Sequence, residues 1–165
     1  MSRSIRLLSV QPDELPLAIE RALADAKSLR KSLKDRQVQL ALHEAARLVQ
    51  EAPSGPPRVV VAVMDGWDAA GLKAIASAAA GHPRTATALF TSGPPAAVVI
   101  SCSSDLQLDA NGVLKALSAQ FGGRGGGTQE LAQGGGLDGS GQEWVGAARR
   151  LIEAAVGASG DYSTP

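Results

Sequence analysis

The distribution of glycine constrains this chain more than any other feature. Of its 19 glycines, none falls between residues 12 and 51, whereas Phe121–Gly136 reads FGGRGGGTQELAQGGG. A long stretch without glycine keeps its backbone restricted and suits a helix. Its only prolines, Pro12 and Pro16, fit a first turn, and Asp13 and Glu14 favour the positive end of a helix dipole. Ile19, Ala26, Leu33 and Leu40 recur by sevens, with Ala22 and Leu29 three residues after the first two, which makes a heptad seam. The seam turns polar at Arg36 and His43. This pattern predicts one long helix, or a helical hairpin broken near Asp35. Its apolar stripe must pack on the globular part or on a second chain. Lys27, Arg30, Lys31, Lys34 and Arg36 occupy the outer face, interspersed with Glu20, Asp25 and Asp35. Such a face is either solvated or a contact for a polyanion.

Residues 52–57, APSGPP, have the composition of a linker. They separate a helical arm over residues 1–52 from an α/β unit expected over residues 57–157. Arg58–Met64 (RVVVAVM) is a Val-rich run that reads as a buried strand. Asp68–Ala80 has helical spacing, Thr85–Thr91 is a second strand, and Ala96–Cys102 follows a Pro94–Pro95 turn as a third. Asp109–Phe121 reads as a helix with Asp109 as its N-cap, and Gln142–Val156 as an amphipathic last helix. The end of the chain, residues 158–165, is expected to be disordered. Strands alternating with helices predict the α/β class, with a small mixed sheet and a glycine-rich loop. Aromatic residues supply only 3% of the chain, so its core must be built from Ala, Val, Leu and Ile.

Within Phe121–Gly136, bare backbone amides let a ligand approach closely. Thr128 and Gln129 are expected to begin a short helical turn through Leu131 and Ala132. A glycine loop feeding a helix N-terminus is a natural phosphate site, to which Arg124 adds a cation. The plainer reading is a flexible linker, although TQELAQ interrupts it. No Lys-Ser/Thr follows the glycines, so this is no P-loop, and a helix rather than a strand precedes them, unlike a dinucleotide fingerprint.

Other classes are excluded or narrowed. Sixteen acids balance sixteen bases, so any nucleic-acid binding must rest on a local patch. One cysteine, Cys102, permits no intrachain disulfide, and no apolar run is long enough for a membrane span. A secretory signal is not evident, which leaves the cytoplasm as the expected location. His43, His82 and Cys102 lack metal-ligand spacing, so neither metal nor cofactor is expected. Cys102 reads first as an inert buried thiol; Ser101, Ser103 and Ser104 beside it are candidates to line a groove. Trp67 and Trp144 read as packing residues or base-stacking platforms.

The glycine segment resembles the motif of the C-terminal domain of alanyl-tRNA synthetases and long-form alanyl-tRNA editing proteins, a DHH-associated domain also found in single-strand exonucleases and oligoribonucleases. Gly122, Gly123, Gly125, Gly126, Gly127, Ala132, Gln133, Gly135 and Gly136 meet its pattern. The nuclease branch usually carries a His directly after the glycines. Thr128 stands there instead, which points to the alanyl-tRNA branch. The segment Leu7–Val49 resembles the helical linker that precedes this domain. The resemblance implies a module without an active site. It implies binding of alanine tRNA at its outer corner, a homodimer through Ile19, Ala26, Leu33 and Leu40, and no membrane partner. The residues expected to bind nucleic acid, through bare amides, short polar side chains and charge, are Gly122, Gly123, Arg124, Gly125, Gly126, Gly127, Thr128, Gln129 and Gln133, with Arg149 of the last helix as a further cation. Editing would need His-x-x-x-His and Cys-x-x-x-His zinc ligands, and the nucleases an Asp-His-His motif; neither pattern occurs in the sequence. The absent catalytic parts suggest a piece of a longer protein, either a synthetase or a free-standing editing protein. A purely structural oligomerisation module and a nuclease relative acting on oligonucleotides are the rival readings.

Overall fold

The computed structural model describes residues 15–53 and 55–159. Pro12, Asp13, Glu14 and the end of the expected disordered tail, residues 160–165, lie outside the described residues. The chain divides into two units, Met1–Val38 and Gln39–Pro165. Helix α1 spans Leu15–Glu51 and runs uninterrupted through Asp35, so the arm is one helix rather than a hairpin. In the first unit Ile19 and Leu33 of the seam are exposed and Ala26 is half-buried.

In the second unit the last turns of α1 bury Ala41, Ala45, Leu48 and Val49, while Leu40 remains 59% exposed. The stripe that docks is therefore displaced by one residue from the heptad. Two alanines at i and i+4 let the helix backbone approach closely, which a leucine seam would not.

Among the described residues five strands follow in one sheet, in the spatial order Arg58–Met64, Thr85–Thr91, Ala96–Cys102, Leu131–Leu137, Arg124–Gly127. β1 (Arg58–Met64) and β2 (Thr85–Thr91) are parallel, joined by α2 (Ala69–Ala79). β3 (Ala96–Cys102) is antiparallel to β2 and to β5 (Leu131–Leu137), and β4 (Arg124–Gly127) closes the far edge against β5. α3 (Ala110–Phe121) precedes β4, and α4 (Gly141–Ser159) ends the described chain. The sheet is mixed, as expected from the alternating pattern.

Each face has its own core. On one face Val60, Met64, Leu89 and Val99 pack under α2 and the end of α1. On the other, Val59, Ala86, Ala88, Phe90, Val98, Ile100 and Ala132 pack under α3 and α4. Trp144 stacks on Phe90 with ring centroids 5.8 Å apart, and its Nε1 donates to the Asp138 carbonyl at 2.9 Å. Trp144 is thus a packing residue. Ser101 is one as well, in the sense that its hydroxyl is spent internally: it shares a 2.7 Å hydrogen bond with Thr87 and reaches the Ala76 carbonyl at 2.7 Å. Ser103 Oγ accepts from the Thr85 amide. These two hydroxyls hold strands together and do not line a groove.

Helix starts follow two different rules here. Asp68 caps α2 by accepting from the Gly71 amide at 2.7 Å. Asp109 occupies the equivalent position of α3 but makes no side-chain cap. The Ala110 amide donates instead to the Gln129 carbonyl at 2.9 Å. The tip of the β4–β5 hairpin therefore closes the α3 N-terminus.

Candidate nucleic-acid interface

The glycine segment is a β-hairpin, which corrects the expected loop leading into a helical turn. Arg124, Gly125, Gly126 and Gly127 pair with Gly135, Gly134, Gln133 and Ala132. Thr128 and Leu131 close the turn: the Thr128 amide donates to the Leu131 carbonyl at 2.8 Å, and the Leu131 amide donates to Thr128 Oγ1 at 3.2 Å. Leu131–Leu137 also pairs with β3, so β5 is held on both sides. That pairing satisfies every second backbone group on each edge, which a lone helical turn of TQELAQ would not. Leu131–Leu137 is a strand, so the glycines feed no helix N-terminus. The bare backbone remains.

The glycines divide between two jobs by the faces they occupy. Gly125 and Gly134 face α3: a Cβ would lie 2.9 Å from Leu114 Cδ2 at the first and 3.0 Å from Leu114 Cδ1 at the second. Their emptiness lets α3 lie on the hairpin. Gly122, with φ +71, ends α3 in a conformation that favours glycine, and Gly123 closely faces the Gly135 carbonyl. Gly126 and Gly135 share the opposite face with Gln133 and Arg124 by register. At Gly126 an added Cβ would meet nothing within 4 Å.

That second face is a shelf. α2 covers the β2 and β3 side of it, and the strip Gly134–Gly136 emerges beside the helix as a floor without side chains. A hollow of about 620 Å³ runs over this strip, bounded by Trp67 and Ala69 at the start of α2 and by Pro94, Pro95 and Ala97. A neighbouring hollow of about 400 Å³ joins Lys73, Val99, Gln133 and Gly134. The chemistry on offer is a flat backbone floor, an amide side chain, a half-buried indole, and the cations Lys73 and Arg124 at its margins. Phosphate and ribose oxygens suit such a surface, and bases can stack on it.

The structure brings Arg124, Gly126 and Gln133 together on this shelf. Gly122, Gly123, Gly125 and Gly127 serve the hairpin's packing behind it. Thr128 is used in the turn. Gln129 lies at the far tip, where it lines a separate hollow with Cys102, Ser104, Asp109 and Glu130. Burial pushes the Cys102 thiol up from its ordinary value, and Glu130 and Asp109 push it further. Two carboxylates make that hollow unsuitable for a polyanion. Arg149 lies on α4, in a cleft with Val59 of β1, and pairs with Glu153 at 3.8 Å. β1 and β4 are opposite edges of the sheet, so Arg149 does not join the glycine hairpin. Lys27, Arg30, Lys31, Lys34 and Arg36 are exposed in the first unit. Lys73 and the floor residues Gly135 and Gly136 are not among the binding residues expected from the sequence, although both glycines belong to its glycine motif. Among the described residues, no three His, Cys, Asp or Glu side chains are grouped to hold a metal ion. None of the described helices is long and apolar enough to cross a membrane.

Residues 57–158 match the DHHA1 domain family. The chain is 29% identical over 150 residues to alanine–tRNA ligase of Saccharopolyspora erythraea, covering 86% of this chain and 17% of that protein. It is 30% identical over 140 residues to the Methanoculleus marisnigri enzyme of the same name, covering 85% and 15%. It thus spans about a sixth of the length of these curated relatives. Among solved structures, the C-Ala domain from Aquifex aeolicus alanyl-tRNA synthetase shares the fold with a TM-score of 0.53 and 18% identity, over 64% of this chain and 97% of that one. RecJ from Thermus thermophilus in complex with Mg2+ gives a TM-score of 0.59 and 16% identity, over 93% of this chain and 22% of that one.

Proposed function

This chain belongs to the DHHA1 domain family, and on that premise we propose that it is a non-catalytic, tRNA-binding module of the alanyl-tRNA synthetase C-terminal type. Alanine tRNA is the proposed partner, held by its shape and backbone at the outer corner, in the cytoplasm. The observation that carries this reading is the open strip at Gly126 and Gly134–Gly136, with Lys73 and Arg124 at its margins. Side-chain-free backbone admits a rigid sugar-phosphate chain to hydrogen-bond distance, and two cations supply the electrostatic attraction. Arg124→Ala and Lys73→Ala each remove one phosphate contact. Titration of labelled alanine tRNA at two salt concentrations should show weaker binding for both, and a log–log salt slope shallower by about 1 each. Wild-type affinity and slope in both variants would remove the shelf from the tRNA interface.

A second reading, compatible with the first, is assembly. Ile19, Leu23, Leu29 and Leu33 are each at least 44% exposed along the first unit's helix. Such a stripe supports a homodimer in which α1 pairs with its copy through Ile19, Ala26, Leu33 and Leu40.

A further inference from the structure

At the β1 edge, away from the glycine hairpin, lies a cleft of about 500 Å³. Its size falls in the range of small-molecule pockets, roughly 300–1,000 Å³. Arg149, Glu153 and Val156 line one wall at i, i+4 and i+7 on α4, so one helical stripe faces it. Pro57 and Val59 give an apolar wall, and Arg84 stands at the start of β2.

Arg84 is held in an unusual way. It is the one non-glycine residue among those described with positive φ, at 48°. Its amide donates to both carboxylate oxygens of Asp105, at 3.0 and 3.1 Å, and its carbonyl accepts from the Arg58 amide at 2.8 Å. Glycine or asparagine would take this conformation at lower cost. A strained backbone clamped on both sides fixes where the guanidinium starts, and such strain gathers at binding sites. Arg149 is only loosely engaged, since its contact to Glu153 is 3.8 Å and both side chains are well exposed. Among the described lining residues Glu153 is the one carboxylate facing Arg84 and Arg149, while Asp105 stands behind Arg84 on its backbone amide.

We infer that this cleft binds a nucleotide, with its phosphate between Arg84 and Arg149 and its base against Pro57, Val59 and Val156. Guanidinium forks match phosphate oxygens, and flat apolar walls with arginine planes accept a base. Glu153 is placed to accept from a base N–H or a ribose hydroxyl. An alkyl chain would leave that carboxylate unmatched. The nucleotide comes either free or as one unit of an RNA strand; the chemistry is shared. This inference does not rest on the glycine shelf.

The test uses the 165-residue chain and Arg84→Gly, which removes the guanidinium while suiting the positive φ, so its melting temperature should not fall. Adenosine monophosphate is titrated while the resonances of Val59 and Val156 are followed by NMR. Saturable shifts are expected in the wild type, weakened about tenfold or more in Arg84→Gly and also in Arg149→Gln. Inorganic phosphate alone should bind more weakly than the nucleotide. Unmoved Val59 and Val156 resonances, undiminished binding by Arg84→Gly, or phosphate binding as well as the nucleotide would each overturn the proposal. With the nucleotide shifts present, a loss of tRNA affinity in Arg84→Gly identifies an RNA strand as the source, and unchanged tRNA affinity identifies a free nucleotide. Arg124→Ala, which disturbs only the shelf, should leave the nucleotide titration unaltered.

Discussion

Replacing Gly125 and Gly126 by alanine, one at a time, should give opposite results although the two are neighbours in one strand. At Gly125 the new Cβ would press on the Gln133 carbonyl, lie 2.5 Å from Gly134 Cα and 2.9 Å from Leu114 Cδ2. Two of these are backbone atoms of the paired strand and cannot rotate away. Either the hairpin shifts or α3 lifts. Overpacking of this kind costs about 1–3 kcal/mol, which corresponds to a fall of roughly 2–12 °C in Tm at about 2–4 °C per kcal/mol. At Gly126 nothing lies within 4 Å, and its φ is not in the positive region. Alanine there restricts the unfolded chain and should stabilise by about 0.4–1 kcal/mol. Thermal unfolding followed by circular dichroism reads both. Equal destabilisation by the two variants would refute the division of the hairpin into a packed face and an open one. Gly126→Val carries the same reasoning to function: it should leave Tm near wild type but weaken tRNA binding by roofing the shelf.

Two further outcomes are expected. Leu33→Lys should convert a sedimenting dimer to a monomer without unfolding the second unit; a wild type that is monomeric at high concentration removes the assembly reading. Asp105 has its carboxyl held below its ordinary 3.8, first by the Ser103 hydroxyl and then by the Arg84 amide. A depressed folded value means that this contribution is full above the unfolded value and is lost as pH falls through the folded one. Urea midpoints measured below about pH 4 should therefore fall less steeply with acid in Asp105→Asn than in the wild type.

The three strands over 58–64, 85–91 and 96–102 were legible with their observed bounds because Val- and Ala-rich runs there end in turn residues. The long helix was legible from its glycine-free length, but not which stripe docks. Ala41 and Ala45 look weaker than Leu40 on any hydrophobic pattern, and only close approach of two surfaces favours them. The hairpin was hidden for a related reason. Glycine has no side chain to alternate, so Arg124–Gly127 carries no strand signature, and its partner's other neighbour, β3, lies some thirty residues earlier. The same gap misplaced the α3 cap: Asp109 has the right type, but the Gln129 carbonyl arrives from the hairpin and takes the Ala110 amide. Of the candidate site, Arg124 and Gln133 were readable from the motif. Lys73 was not, since α2 is brought beside β5 only by the crossover between β1 and β2. Arg149 looked equivalent to Arg124 by charge, and the sheet order separates them by its full width.

Hydrogen exchange of the chain, alone and saturated with alanine tRNA, tests the central claim most directly. Exchange should slow across Arg124–Gly127 and Gln133–Gly136, together with the first turn of α2. Unchanged exchange in those segments while tRNA is bound would show that the glycine shelf is not the tRNA-binding face.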